Sequence, residues 1–201
     1  TASLDQLSGG RLILGVGIGS SRPQEWDAFG EELDTRKRGQ MLDEGLDIIT
    51  GLWTGEPFAY DGEHYQVQES QFIPTPYQSQ HIPIWVGGKF PAKPPMRRAA
   101  RWDGMLIDYT AESDQRMQEF RQSIEFVLSQ RTGDSPFYIV YIDRSQATTP
   151  REDVSKIAHE AQSYGATWCM TDLGPPRFDM AWDSVWNLDV IYDWMMQGPP
   201  R

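Results

Sequence analysis

Two apolar runs that stop on glycine constrain this chain more than any other feature. Residues 11–20 read RLILGVGIGS and residues 82–88 read IPIWVGG. Each opens with a continuous apolar run rather than an alternation, the pattern of a strand covered on both faces in a parallel sheet. Glycines at the carboxyl end of such a strand let the backbone turn sharply and let a ligand come close to it. The first run alone also suits a plain strand end with a flexible turn. The second, followed by a helix-like segment, makes the stronger case. Two strands that end the same way predict one pocket at the carboxyl edge of a parallel sheet, where α/β folds place their ligands.

The remaining chain alternates in the same sense. Residues 1–10 read as the end of a helix stopped by Gly9 or Gly10, which suggests that something normally precedes them. Residues 20–34 read as a loop with a short helical turn over the pocket mouth. Residues 35–53 form a helix, with Leu42, Leu46, Ile49 and Trp53 recurring at helical spacing. Residues 58–80 break the series: Phe58, Tyr60, Tyr65 and Val67 flank Asp61-Gly62, which predicts an inserted β-hairpin carrying substrate or partner contacts. Residues 103–108 (DGMLID), 137–142 (FYIVYI) and 167–171 (TWCMT) are further strands. Between them, residues 113–131 form a helix capped by Ser113, and Thr149-Pro150-Arg151-Glu152 opens another as a capping box. That helix buries Val154, Ile157, Ala161 and Tyr164, and Gly165 closes it; an aromatic helix over 181–196 ends the chain. Five strands in βα alternation mean a parallel sheet in a single α/β domain over 1–201, with the 58–80 hairpin inserted. Five units are too few for a closed eight-stranded barrel.

Composition narrows the function classes. The 201 residues suffice for one sizeable core, and 39% hydrophobic with 12% aromatic residues predicts a packed protein rather than disorder. The net charge is −11 and no long block of Lys or Arg occurs, which argues against nucleic acid as a partner. No stretch reaches the length of a membrane span and no secretory signal opens the sequence. The single cysteine, Cys169, fits a reducing cytoplasm and a core role in a buried strand. His64 and His81 have no companions at metal spacing, so no metal site is assigned.

The chemistry therefore points to a bound group. Backbone N–H groups at a glycine turn before a helix hold an anion such as a phosphate. Gly87, Gly88 and the amides up to Ala92 are placed for this, with Lys89 as a point charge. Trp85, Trp26 and Phe29 suit the flanks of a flat ring, and each reads equally well as a core aromatic. No nucleophile–base set, carboxylate pair or Cys/His cluster stands out, so no catalytic residue is assigned. A phosphate cradle without a reactive constellation implies a cofactor that carries the chemistry.

The segments LDQLSGGRLILGVGIGS, EWDAFGEELDTRKRGQMLDEGLDIITGLW, PIWVGG and AARWDGML together resemble the bacterial luciferase-like monooxygenase superfamily of flavin- and F420-dependent oxidoreductases. The resemblance runs from Leu4 to about Ile107. It implies a (β/α)8 TIM barrel, here incomplete, matching the C-terminal five-eighths, and FMN or coenzyme F420 as cofactor. It carries cofactor contacts onto Gly17, Ile18, Gly19, Ser20, Gly87 and Gly88. Ser20 stands where several F420 enzymes have a glutamate active in proton chemistry, so that role does not transfer. About three strands that precede this region in the family are absent here. The expected activity is oxidation or oxygenation of a small-molecule substrate; the alternative is a shortened, non-catalytic member that binds flavin or serves assembly. Strands at 12–16 and 167–171 are left as edges, which predicts a homodimer or pairing with a missing N-terminal portion.

Overall fold

The computed structural model describes residues 1–19, 23–109 and 113–198. Helix α1 (Ala2–Ser8) ends on Gly9 in the left-handed conformation (φ 64°), as the Gly-Gly stop requires. Strand β1 (Leu14–Val16) is shorter than the apolar run predicts, and Leu14 N–H donates to Pro83 O at its start. The short α2 (Pro23–Asp27) and the long α3 (Thr35–Trp53) follow. Asp34 caps α3, its carboxylate accepting from the amides of Arg36 and Lys37.

The predicted hairpin forms from β2 (Phe58–Asp61) and β3 (Gln66–Ser70), antiparallel and separate from the main sheet. Glu44 of α3 fastens it, accepting from the amides of Glu63, His64 and Tyr65 at 2.9–3.0 Å. The series then resumes as β4 (Ile84–Lys89), α4 (Lys93–Arg101), β5 (Gly104–Asp108), α5 (Ser113–Gln130), β6 (Tyr138–Asp143), α6 (Arg151–Ser163), β7 (Trp168–Thr171) and α7 (Leu188–Met196).

The main sheet has the order β1-β4-β5-β6-β7 with every pair parallel, curled into a half-barrel. Its outer face carries Ile84, Val86, Met105, Ile107, Ile139 and Tyr141, all buried. Against them pack Leu46 and Trp53 of α3, Met96 and Ala99 of α4, and Phe120, Ile124 and Val127 of α5. Each such side chain contributes on the order of 2 kcal/mol by leaving water. Arg98 locks α4 to α3 through a two-pronged bond to Asp43 (2.7 and 2.8 Å) and a third to Gly39 O. Arg131 covers the open end of α4, donating to Trp102 O at 2.7 Å.

Three local expectations change. Cys169 is exposed rather than core, because β7 is the last strand of the sheet among the described residues. The helix over 151–163 starts where expected, but Thr149 makes no capping-box bond; Pro150 O instead accepts from the amides of Asp153 and Val154. The last helix begins at Leu188 rather than near 181, since Asn187 turns its side chain to the Val190 amide and caps it there. The Ser113 cap lies outside the described side chains. Among the described residues, no helix is long and apolar enough to cross a membrane.

Candidate functional site

Strand register sorts the carboxyl edge of the sheet into two faces. Gly15, Trp85, Gly104 and Tyr138 share one inner row. Two residues further on, Gly87 aligns with Leu106, Val140 and Trp168. Trp85 is buried, its ring 5.5 Å from Tyr138 and 5.3 Å from Trp168. A side chain at Gly104 would meet it at 2.6 Å. Trp85 is therefore an aromatic of the inner layer, the blander of its two sequence readings. Its indole N–H is buried and finds no acceptor among the described residues.

On the β1 and β4 side the inner wall is bare backbone at its glycines. A Cβ at Gly15 would meet nothing within 4 Å, and one at Gly17 only Gly87 O at 3.7 Å. One at Gly87 would press to 3.3 Å on Val16 O. Gly15, Gly17 and Gly87 thus leave room for a flat group to lie against the strands. Gly19 holds a left-handed turn (φ 77°), and Trp26 lies so close to it that any side chain there would overlap the indole. The guanidinium of Arg38 stacks over the Trp26 ring, 4.3 Å from its centroid. Gly17, Ile18, Trp26, Arg38 and Tyr65 contribute to a cavity of about 320 Å³. Phe29 is exposed and takes no part in its lining. Ser20 lies outside the described residues.

The glycine pair divides its work. Gly88 faces outward, where a Cβ would stand 2.3 Å from the Pro95 ring, so its bareness seats the first turn of α4 against β4. Gly87 alone turns its open face inward. The amides beyond are partly committed: Phe90 N–H donates to Asp108 O and Ala92 N–H to Lys89 O, while Pro91, Pro94 and Pro95 have none to offer. Positive charge at this edge then comes from Lys89, which makes no ion pair with the described residues.

The sequence reading missed a row of charge along the same rim. Asp108 pairs in register with Lys89, and Arg144 bridges Asp108 and Asp172, the latter at 3.1 Å. Asp108 and Arg144 stand at the ends of β5 and β6, a position visible in sequence only once the strands are registered. Behind the rim, buried Asp143 accepts from Arg177 (3.1 Å) and from Ser145 Oγ (2.7 Å). Trp194 of α7 covers Arg177 at 4.5 Å. Cys169 is no ready nucleophile: the protein packed behind its sulfur, and then the Asp143 charge, push the thiol up.

Comparison with known proteins supplies the lineage of this arrangement. The sequence profile described as luciferase-like monooxygenase matches residues 1–168. An uncharacterized protein of Mycobacterium tuberculosis is 41% identical over 104 residues, covering 52% of this chain and 34% of its own length. An F420-dependent glucose-6-phosphate dehydrogenase of Microbacterium testaceum is 34% identical over 96 residues, covering 45% of this chain and 26% of its own. The matches thus span about a third or less of these curated relatives. Among solved structures, an F420-dependent secondary alcohol dehydrogenase in complex with an F420–acetone adduct superposes with a TM-score of 0.65 at 14% identity, over 85% of this chain and 66% of that one. By the profile match over most of its length, the chain belongs to the luciferase-like monooxygenase family.

Proposed function

We propose that this chain is the cofactor-holding part of an F420- or flavin-dependent oxidoreductase acting on a small molecule. The observation that carries the reading is the bare inner wall of Gly15, Gly17 and Gly87, open at the carboxyl edge of the sheet beside Lys89, whose ammonium makes no ion pair among the described residues. A conjugated ring fits against backbone without side chains, and a phosphate fits the cation at the rim. F420 is favoured over FMN by the relative whose own name states that cofactor. When bound, such a cofactor supplies the hydride or electron transfer. The chain's residues do the rest: Gly17 and Ile18 line the ring, Gly87 lets it approach, and Lys89 holds the phosphate. In a protein of net charge −11, that anion must be held by a local charge against the overall field.

The test is a calorimetric titration of the purified chain with F420 and with FMN, paired with an absorbance scan. Micromolar binding of one of them, weakened about tenfold in Lys89→Ala, is the expected result. Absence of binding by both would overturn the reading. A second reading, binding without turnover, is favoured by the open inner face: Trp168 is 47% and Met170 43% exposed where a closed barrel would cover them. On that reading the strands completing the pocket come from a second copy or from an N-terminal portion.

A further inference from the structure

Helix α7 is apolar on two sides and buries nothing. Ile191 and Trp194 turn toward the protein, half-buried, with the Trp194 ring 4.5 Å from the Arg177 guanidinium and edge-on to Phe178. Arg151 holds the far end, donating to Gln197 Oε1 at 3.1 Å and to Gly198 O. A second stripe remains. Leu188, Tyr192, Met195 and Met196 recur at i, i+4, i+7 and i+8, the spacing of a packing face, yet each is 51–67% exposed. The loop running into the helix adds Trp182 and Val185, both exposed. Asn187 joins loop to helix: its backbone N–H donates to Met180 Sδ at 3.2 Å, and its side chain caps the Val190 amide.

The size of this surface and its charge decide what covers it. The six side chains together expose on the order of 800 Å². The largest apolar patch of a typical monomer is about 300–600 Å², whereas a stable interface takes about 800 Å² from each partner. Residues 178–198 hold Asp179, Asp183, Asp189 and Asp193 and no Lys or Arg, so an anionic lipid surface or a nucleic acid is repelled. Asp189 and Asp193 flank the stripe without entering it, by their helical spacing. The stripe itself carries none of the charge that selects a foreign partner. It does match a copy of itself. Laid antiparallel about a two-fold axis, Tyr192 meets Tyr192, and Leu188 of one copy meets Met195 and Met196 of the other. The two helix dipoles then oppose, and the aspartates stay on the outer flanks.

We propose that α7 and the loop before it form the interface of a homodimer, in which two copies pack these stripes antiparallel about a two-fold axis. The contact is separate from the sheet and leaves the β1 and β7 margins as they are. It does not depend on the cofactor reading above.

The experiment is size-exclusion chromatography with light scattering, run on the chain and its Y192E/M196E variant from about 1 to 200 µM. The unaltered chain is expected to reach twice its 23.0 kDa. The variant puts carboxylates into the contact from both copies and is expected to raise the dissociation constant about a hundredfold. Its circular dichroism is expected to stay unchanged, since no residue of α7 is buried. A chain that remains monomeric at the highest concentration overturns the proposal. So does a dimer that survives Y192E/M196E, which must be held elsewhere, as by the sheet margins. Cross-linking locates the contact independently: in a C169S background, Y192C is expected to form an intermolecular disulfide on oxidation, and D193C, on the flank, is not. Equal cross-linking of the two would contradict the antiparallel packing. A monomeric chain that sediments with phosphatidylcholine vesicles would assign the patch to a lipid surface instead and refute the dimer.

Discussion

Gly87 and Gly88 are neighbours in sequence and strangers in structure. A strand's side chains alternate between faces, so one glycine looks into the half-barrel and the other toward α4. Their substitutions should therefore fail differently. Gly88→Ala drives a methyl into Pro95, a rigid ring that cannot swing aside, and is expected to cost about 2 kcal/mol with a fall in Tm of about 6 °C. Gly87→Ala meets Val16 O at 3.3 Å and Leu106 O at 3.9 Å, and is expected to cost less than about 1 kcal/mol while weakening cofactor binding about tenfold. Thermal melts and ligand titrations of the two variants separate the roles; equal melting losses would refute the assignment of faces. At this scale the sequence showed which residues cluster at the edge but not which way each one faces. The Asp108–Arg144–Asp172 bridge was hidden for the same reason, since its members come from three strands.

Among the elements, those with a long apolar period were legible and those held by single polar contacts were not. α3 and α5 follow from their spacing because burial against the sheet decides them. α1 has only one buried residue, and that is an aspartate. Asp5 accepts from the amides of Tyr77 (2.9 Å) and Gln78 (3.1 Å) and from the Gln78 side chain, tying α1 to the chain that leads into β4. Burial pushes its carboxyl up, but the hydrogen bonds from the Gln78 side chain and from the Gln78 and Tyr77 amides together outweigh it, and the net shift is downward. A carboxyl held below its ordinary value stabilises the fold above that value, and the contribution fades as pH falls through the lowered one. Denaturant melts should therefore show the stability gap between the unaltered chain and Asp5→Asn to be full at pH 6 and to shrink below about pH 4. A gap constant down to pH 2.5 would count against this anchoring. The start of α7 was misread for a related reason: one asparagine cap, not a hydrophobic period, decides where it begins.

At the scale of the whole molecule, alternation of strand and helix was enough to foresee a five-stranded parallel sheet with β1 and β7 as its edges. It was not enough to foresee how those edges behave. Cys169 was expected inside because TWCMT reads as a buried strand; it lies outside because a strand's burial depends on neighbours that its own residues do not encode. The same dependence leaves the Trp85 indole N–H without an acceptor among the described residues and Trp168 half in water.

A sheet with two unpaired margins and a covered middle is also a clock. Amide protons in the middle of a ladder exchange with solvent only when several strands open together, whereas those on a margin need only a local fluctuation. Deuterium should therefore enter β1 and β7 within minutes and reach β5 last. Uniform uptake across all five strands would contradict that gradient. Any polypeptide that completes the sheet would write its arrival at the two margins, slowing exchange there while the rhythm of the centre stays nearly the same.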